Sequence, residues 1–315
     1  MLRAAWCVLR TNNTLIRNLW SNGVLCRGQI SYLPLMRNIV LELLSSGLEG
    51  RYTIEREIGQ GGAATIYLAH DVEHDRAVAV KVLRGHVRSP HATDRFLREI
   101  KLLTRLRHPH ILSLFDSGDA RGLLYYVTPY IAGESLHTRL ARDKQVPVAE
   151  ALSITLEVAD ALDYAHRENV MHRDIKPGNI LLDGGHATVA DFGIARAIRE
   201  SGEAVLTVSG STLGTPAYMS PEQVLGERDI DGRSDIYGLA CVLFEMVTGQ
   251  LPFMGTRGVV ENHRKFTDPP PRALAARPDL PPALDDTLAT AMAKYAKDRF
   301  ATAAEFAQAL NRSVV

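Results

Sequence analysis

Asp174, Lys176, Asn179 and Asp191 lie close together in the segment VMHRDIKPGNILLDGGHATVADFG, residues 170–193. A solvated face scatters its charges among other polar residues. Here Val170-Met171 precede the polar cluster, Ile180-Leu181-Leu182 follow it, and Thr188-Val189-Ala190 lead into Asp191. Charged groups bounded by apolar runs sit on rigid, buried elements, which is how reactive sites are built. Asp174, Asn179 and Asp191 together offer hard oxygen ligands suited to Mg²⁺ plus a spare carboxylate, and Lys176 supplies a cation.

Three upstream pieces precede this cluster in chain order. IGQGGAATIYLA reads as a strand, a glycine-rich turn and a second strand; glycines let backbone N–H groups approach a phosphate, although such a hairpin can equally be a plain turn. In RAVAVKVL, strand alternation puts Ala79, Lys81 and Leu83 on one face, with the Lys81 ammonium among apolar neighbours; an exposed edge-strand lysine is the alternative. In FLREIKLLTRL, Phe96 lies three residues before Glu99 and Leu103 four after it. Glu99 is therefore expected on the inward stripe with Lys81 as its partner, and a surface pair with Arg95 is the alternative.

The elements that must hold these groups divide the chain. Residues 1–47 read as a weakly structured N-terminal extension: up to residue 46 they contain five Arg, no Lys and one acid, Glu42, a texture that also resembles an organelle-targeting peptide. From Arg51, short β-branched runs (YTIEREIG, TIYLAHD, RAVAVKVL, LLYYVTPYI) enclose one helical stretch around Phe96–Leu106. Later segments follow helical spacing, and DPPPRALAARPDLPP is a loop between helices. A strand-rich part preceding a larger helical part is an α+β arrangement.

Bulk composition narrows the partners. Lys plus Arg and Asp plus Glu number 36 each, so no net basic field argues for nucleic acid or a membrane surface. The apolar run ACVLFEMV contains Glu245 and is too short to span a bilayer, so it reads as a buried helix. Cys7, Cys26 and Cys241 have no metal-like spacing and cannot all pair, which fits a reducing, cytoplasmic setting.

Taken together, the glycine-rich turn, Val78-Ala79-Val80-Lys81, HRDIKPGN, Asp191-Phe192-Gly193 and GTPAYMSPEQ resemble the protein kinase superfamily over roughly residues 48–312. Phrases such as RDIKPGNILL and DFGIARAI are most similar to bacterial eukaryotic-like Ser/Thr kinases. The resemblance implies a bilobal fold with a small β-rich lobe and hinge over 48–131 and a larger helical lobe over 132–315.

It further implies that Ile58, Gly59, Gly61 and Gly62 cover ATP, that Ile66 and Ala79 sandwich adenine, and that Thr128, Pro129 and Ile131 form the adenine-facing connector. Lys81 would contact the α/β-phosphates, held by Glu99. Asp174 would accept the substrate proton, Lys176 would steady the γ-phosphate, and Asn179 and Asp191 would hold Mg²⁺. Arg299 would pair with Glu222, and Asp235 would be the buried acid under the catalytic loop. Where the family has a third loop glycine, this chain has Ala64.

The same resemblance makes protein Ser/Thr residues the substrate. It points to Thr207 and Ser209 as autophosphorylated positions of the activation segment, with Arg173 receiving the phosphate and Thr215 contacting the catalytic loop. It allows pairing of two copies through the small lobe. Membrane-anchored relatives continue into a spanning helix; with the sequence ending at Val315, the expectation is a kinase without a sensor domain. A scaffold that binds ATP without catalysis predicts loss of a catalytic Lys or Asp, and neither is lost. Small-molecule phosphotransferases of the same fold usually lack the GTPAY and SPE phrases present here.

Overall fold

The computed structural model describes residues 33–61, 64–83, 90–194, 216–227, 229–253 and 258–313. Gly62, Thr207, Ser209, Thr215 and residues 1–32 lie outside the described residues. The smaller, N-terminal part is built on five antiparallel strands: β1 (Tyr52–Gln60), β2 (Ala64–Asp71), β3 (Arg76–Leu83), β4 (Asp116–Ala120) and β5 (Leu123–Pro129), in the spatial order β1-β2-β3-β5-β4. Pairing of Gly59 with Ile66 and Gln60 with Thr65 brings β1 and β2 together at the glycine-rich turn, where the Gly61 N–H donates to the Ala64 carbonyl at 2.8 Å.

Alternation gives this sheet two different faces. On one, Val78, Val80 and Val82 of β3 join Tyr125 and Val127 of β5 in a buried cluster. Two leucines complete that cluster, Leu44 from helix α1 (Leu33–Gly47) and Leu48 just after it. The expectation of a weakly structured extension fails for this stretch: Leu44 and Leu48, four residues apart, are buried against the sheet. A Cβ at Gly47 would stand 2.9 Å from the Ala120 Cβ, so glycine lets the end of α1 lie directly on β4. On the opposite face, helix α2 (Pro90–Leu103) buries Phe96 and Ile100 with Leu114, Leu124, Tyr126 and Ile194.

The C-terminal part is helical around a single core. A short sheet, β6 (Glu134–Ser135), β7 (Ile180–Asp183) and β8 (His186–Val189), lies between α3 (Leu136–Asp143), α4 (Val148–Arg167) and the β-rich part. Helices α5 (Pro221–Leu225), α6 (Arg233–Thr248), α7 (Gly258–Thr267), α8 (Pro282–Ala291) and α9 (Ala303–Arg312) follow. The ACVLFEMV run lies in α6, which is buried on nearly every side, as its lack of a polar face requires. Among the described residues no helix is long and apolar enough to cross a membrane. Ser220 and Gln223 form a reciprocal capping box at the start of α5.

That cap positions Glu222, whose carboxylate receives both terminal nitrogens of Arg299 at 2.7 and 2.8 Å. The guanidinium is fully buried and also donates to the carbonyls of Ala293, Arg233 and Lys294, so its donors are satisfied without water. Burial alone would push the Glu222 carboxyl upward, but the Arg299 hydrogen bonds and charge outweigh it and hold the group at about 2.

Two expectations follow from these contacts. Leu44→Ala is expected to cost about 3 kcal/mol in urea unfolding, the scale of a truncated core leucine, whereas a loss below about 0.5 kcal/mol would mean α1 is not part of the folded unit. For Glu222, the folded value near 2 lies below the ordinary 4.5. Its stabilisation is therefore complete above pH 4.5 and is lost as pH falls toward 2. Glu222→Gln should lose less stability than the parent between about pH 5 and about pH 3, and parallel pH curves would contradict this.

Candidate active site

The loop that carries Asp174 is hung from α6. The Asp235 carboxylate, 2% exposed, accepts the His172 N–H at 2.8 Å, the Arg173 N–H at 2.7 Å and His166 Nε2 at 2.8 Å. Burial would raise its pKa; the His166 hydrogen bond and the neighbouring imidazoles more than offset this, and the carboxyl is held below its usual range. Gly232 permits the arrangement, since a Cβ there would come within 2.5 Å of the His166 ring. Arg173 has φ 67°, a left-handed backbone that costs a non-glycine residue about 1 kcal/mol, and the Asp235 bonds help to hold it there.

Below this anchor the site assembles itself. Asp174 Oδ2 accepts Lys176 Nζ at 2.7 Å and Asn179 Nδ2 at 3.1 Å. Asn179 Nδ2 also donates to the Asp174 carbonyl at 2.8 Å. With its amide nitrogen committed to Asp174, Asn179 keeps its carbonyl oxygen as an acceptor. No described residue donates to Asp174 Oδ1. The turn Pro177–Asn179 then enters β7, and the Ala190 N–H bonds to the Asn179 carbonyl at 2.8 Å, which ties the two loops together.

Asp191 follows β8 with φ 65°. His172 bonds the Ala190 carbonyl at 2.9 Å and meets the Phe192 ring edge-on at 4.7 Å, so the segment on either side of Asp191 is fixed by the same loop. Lys81 reaches Asp191 from β3, its Nζ 2.5 Å from Oδ1. Tyr126, paired with Lys81 across β3 and β5, donates its hydroxyl to that same Oδ1 at 3.0 Å. Burial would raise the Asp191 carboxyl, but the Lys81 charge and hydrogen bond prevail and lower it. Burial, then the Asp191 charge, push the Tyr126 hydroxyl well above its usual value, so it remains a donor.

One expected contact is absent. Lys81 pairs with Asp191, and Glu99 makes no hydrogen bond or ion pair among the described residues. The physical reason is the register of α2: Phe96 and Ile100 take its two buried positions, and Glu99 is left half-buried beside them. Ala79 lies on the same face of β3 as Lys81 and pairs with Thr128, which is buried. Ile66 pairs with Lys81 from β2 and is half-buried, as are Ile58, Gly59, Pro129 and Ile131; Gly61 is exposed. Of these residues, Ile58, Gly59, Ile66, Ala79, Thr128 and Pro129 sit on β1, β2, β3 and β5, with Gly61 at the turn after β1 and Ile131 just after β5.

Two residues of this region were not singled out by sequence reasoning. Tyr126 had a signal, because Leu124, Tyr126 and Thr128 alternate onto one face and a buried tyrosine needs a hydroxyl partner. Lys265 of α7 had none. Its ammonium, in a residue 1% exposed, donates to the carbonyls of Pro216 at 2.6 Å, Ala217 at 3.0 Å and Met219 at 2.5 Å, clamping the turn that precedes α5.

The donor set fits Mg²⁺. One carboxylate oxygen and one amide oxygen is the sparse protein contribution this ion takes, its other positions being filled by phosphate or water oxygens. Among the described residues there is no cluster of three His, Cys, Asp or Glu side chains arranged to hold a metal by themselves.

Comparison with known proteins agrees with this geometry. The model of the family described as the protein kinase domain matches residues 52–311. A probable serine/threonine-protein kinase PknB of Bifidobacterium longum is 39% identical over 268 residues, 82% of this chain and 39% of that protein. Serine/threonine-protein kinase PknJ of Mycobacterium tuberculosis is 41% identical over 278 residues, 85% of this chain and 46% of the relative. PknB of Mycolicibacterium smegmatis is 38% identical over 264 residues, 82% and 42% of the two chains. The chain thus spans less than half the length of these relatives. Because the matched span holds both the sheet and the helical part, with every element that positions Lys81, Asp174, Asn179 and Asp191, the chain belongs to the protein kinase domain family.

Proposed function

We propose that this chain is an ATP- and Mg²⁺-dependent serine/threonine protein kinase that transfers the γ-phosphoryl group to protein hydroxyls. The observation that carries the reading is the asymmetry of Asp174. Its Oδ2 is occupied by Lys176 and Asn179, while Oδ1 receives no donor from the described residues and is available to a hydroxyl. A carboxylate so held orients the attacking oxygen and accepts its proton.

In this reading Ile58, Gly59, Gly61 and Gly62 cover the nucleotide, and Ile66, Ala79, Thr128, Pro129 and Ile131 receive the adenine. Lys81 moves from Asp191 to the α/β-phosphates, and Glu99 takes the proposed role of holding it there. That exchange requires α2 to bring Glu99 to Lys81, since the structure pairs Lys81 with Asp191. Asn179 and Asp191 hold the metal, whose charge offsets that on the transferring phosphoryl group. Lys176, already beside Asp174, is placed to steady the γ-phosphate next to the acceptor hydroxyl.

The substrate side rests on the segment Pro216–Met219, which Lys265 clamps, and on α5, where Gln223 Nε2 donates to the Arg173 carbonyl at 2.8 Å. A peptide docked on that segment would lie over the loop that carries Asp174. Phosphorylation of Thr207 or Ser209, with Arg173 as the receiving cation and Thr215 on the catalytic loop, completes the proposal. Protein substrates, a cytoplasmic setting and pairing through the small lobe belong to the same reading. Part of the outer face of that lobe is already covered by Leu44 and Leu48.

Transfer of labelled phosphate from ATP-Mg²⁺ to a generic protein tests the whole. Asp174→Asn is expected to lower the rate at least about 100-fold while ADP still binds. The product should contain phosphoserine or phosphothreonine. An unchanged rate in the variant would remove Asp174 from the chemistry, and no transfer by the parent chain would favour an ATP-binding scaffold.

A further inference from the structure

Tyr126 makes a hydrogen bond that its packing alone does not require. Its ring fills the cluster between the sheet and α2 with Phe96, Ile100, Leu114, Leu124 and Ile194, and a phenylalanine would occupy the same space. The hydroxyl lies 3.0 Å from Asp191 Oδ1, its one hydrogen-bond partner among the described residues. Lys81 Nζ binds that same oxygen at 2.5 Å. No described residue donates to Oδ2, and the Asp191 side chain remains 26% exposed. The two oxygens of one carboxylate therefore face different surroundings: one is bound to the protein and the other is open.

We propose that Tyr126 is a positioning residue for Asp191, fixing the carboxylate through Oδ1 so that Oδ2 is presented to a divalent cation bound with a nucleotide. The inference rests on Asp191 being a metal ligand, as proposed above, and adds the group that orients it. Lys81 cannot be the constant support, because the same ammonium is needed on the phosphates. Tyr126 is buried on a central strand, so its hydroxyl stays in place when Lys81 leaves. A partner that orients a metal-binding side chain typically contributes tenfold or more to metal affinity.

The test uses the full chain, ADP and Mg²⁺, with no turnover. ADP binding is measured by calorimetry in excess EDTA, and Mg²⁺ is then titrated into the metal-free ADP complex. Tyr126→Phe is expected to bind ADP in EDTA within about twofold of the parent and to bind Mg²⁺ about tenfold more weakly. Tyr126→Leu, which also lacks the hydroxyl, is expected to weaken Mg²⁺ at least as much. Mg²⁺ affinity equal to the parent in Tyr126→Phe, or tighter than the parent, overturns the proposal; the tighter result would make the hydroxyl a brake on metal binding. A loss confined to Tyr126→Leu assigns the effect to the ring and also overturns it. If the parent binds ADP with no response to Mg²⁺, the metal-site reading falls first and takes this proposal with it. If ADP and Mg²⁺ bind normally but Tyr126→Phe does not differ, only the role of Tyr126 falls.

Discussion

The hydrogen bonds that converge on Asp235 are the constraint on which the site depends. A buried carboxylate is costly unless it is fully coordinated, and here two backbone N–H groups and an imidazole coordinate it. The same bonds fix where the chain leaves α4, through His166, and where it turns into the loop holding Asp174. The left-handed backbone at Arg173 survives because the adjoining amides have a fixed acceptor. Everything downstream is short-range: Lys176 and Asn179 are two and five residues from Asp174, so once the loop is placed their bonds need no further search.

The second support is the division of the five-stranded sheet into two faces. On β3 and β5 alternation sends Val80 and Val127 to one side and Lys81 and Tyr126 to the other. The first side is closed by α1 over an apolar centre, with polar groups at its rim. Arg51, Tyr52 and Asp116 meet there, with the Tyr52 hydroxyl 3.1 Å from Asp116. The second side carries a buried ammonium and a buried phenol, and both are satisfied by one carboxylate from the helical part. Asp191 thus joins the two parts of the molecule chemically: Lys81 of β3 and Tyr126 of β5 bind its Oδ1, and the His172 loop secures its flanks.

How much of this was legible in the sequence depends on distance along the chain. The catalytic-loop cluster was readable because its members are close in sequence and bounded by strands. The β-rich part and the helical part were readable from hydrophobic period. The Glu222–Arg299 pair and the buried Asp235 were found only through the family resemblance, since nothing local links residues so far apart. The Lys81–Glu99 pair was inferred from an inward stripe that the structure assigns to Phe96 and Ile100; a stripe about one residue wide cannot be resolved from spacing alone. Helix α1 was missed because the arginine-rich composition around it outweighed Leu44 and Leu48, and nothing in that stretch shows that β4 presents a flat surface at Ala120. Lys265 was illegible for a different reason: three backbone carbonyls are its partners, and carbonyls leave no trace in residue type.

The most direct test of this account is Asp235→Asn, followed by amide hydrogen exchange and phosphate transfer together. An asparagine keeps one acceptor but turns an amide N–H₂ toward a donor, so at least one of the His172 and Arg173 bonds must fail. The account predicts faster exchange at His172 and Arg173 with β3 and β5 unchanged, and a fall in transfer rate of about 100-fold, the scale expected when a catalytic group is displaced by about 1 Å. Exchange and transfer both matching the parent would contradict it, because the site would then stand without the interaction from which it is hung.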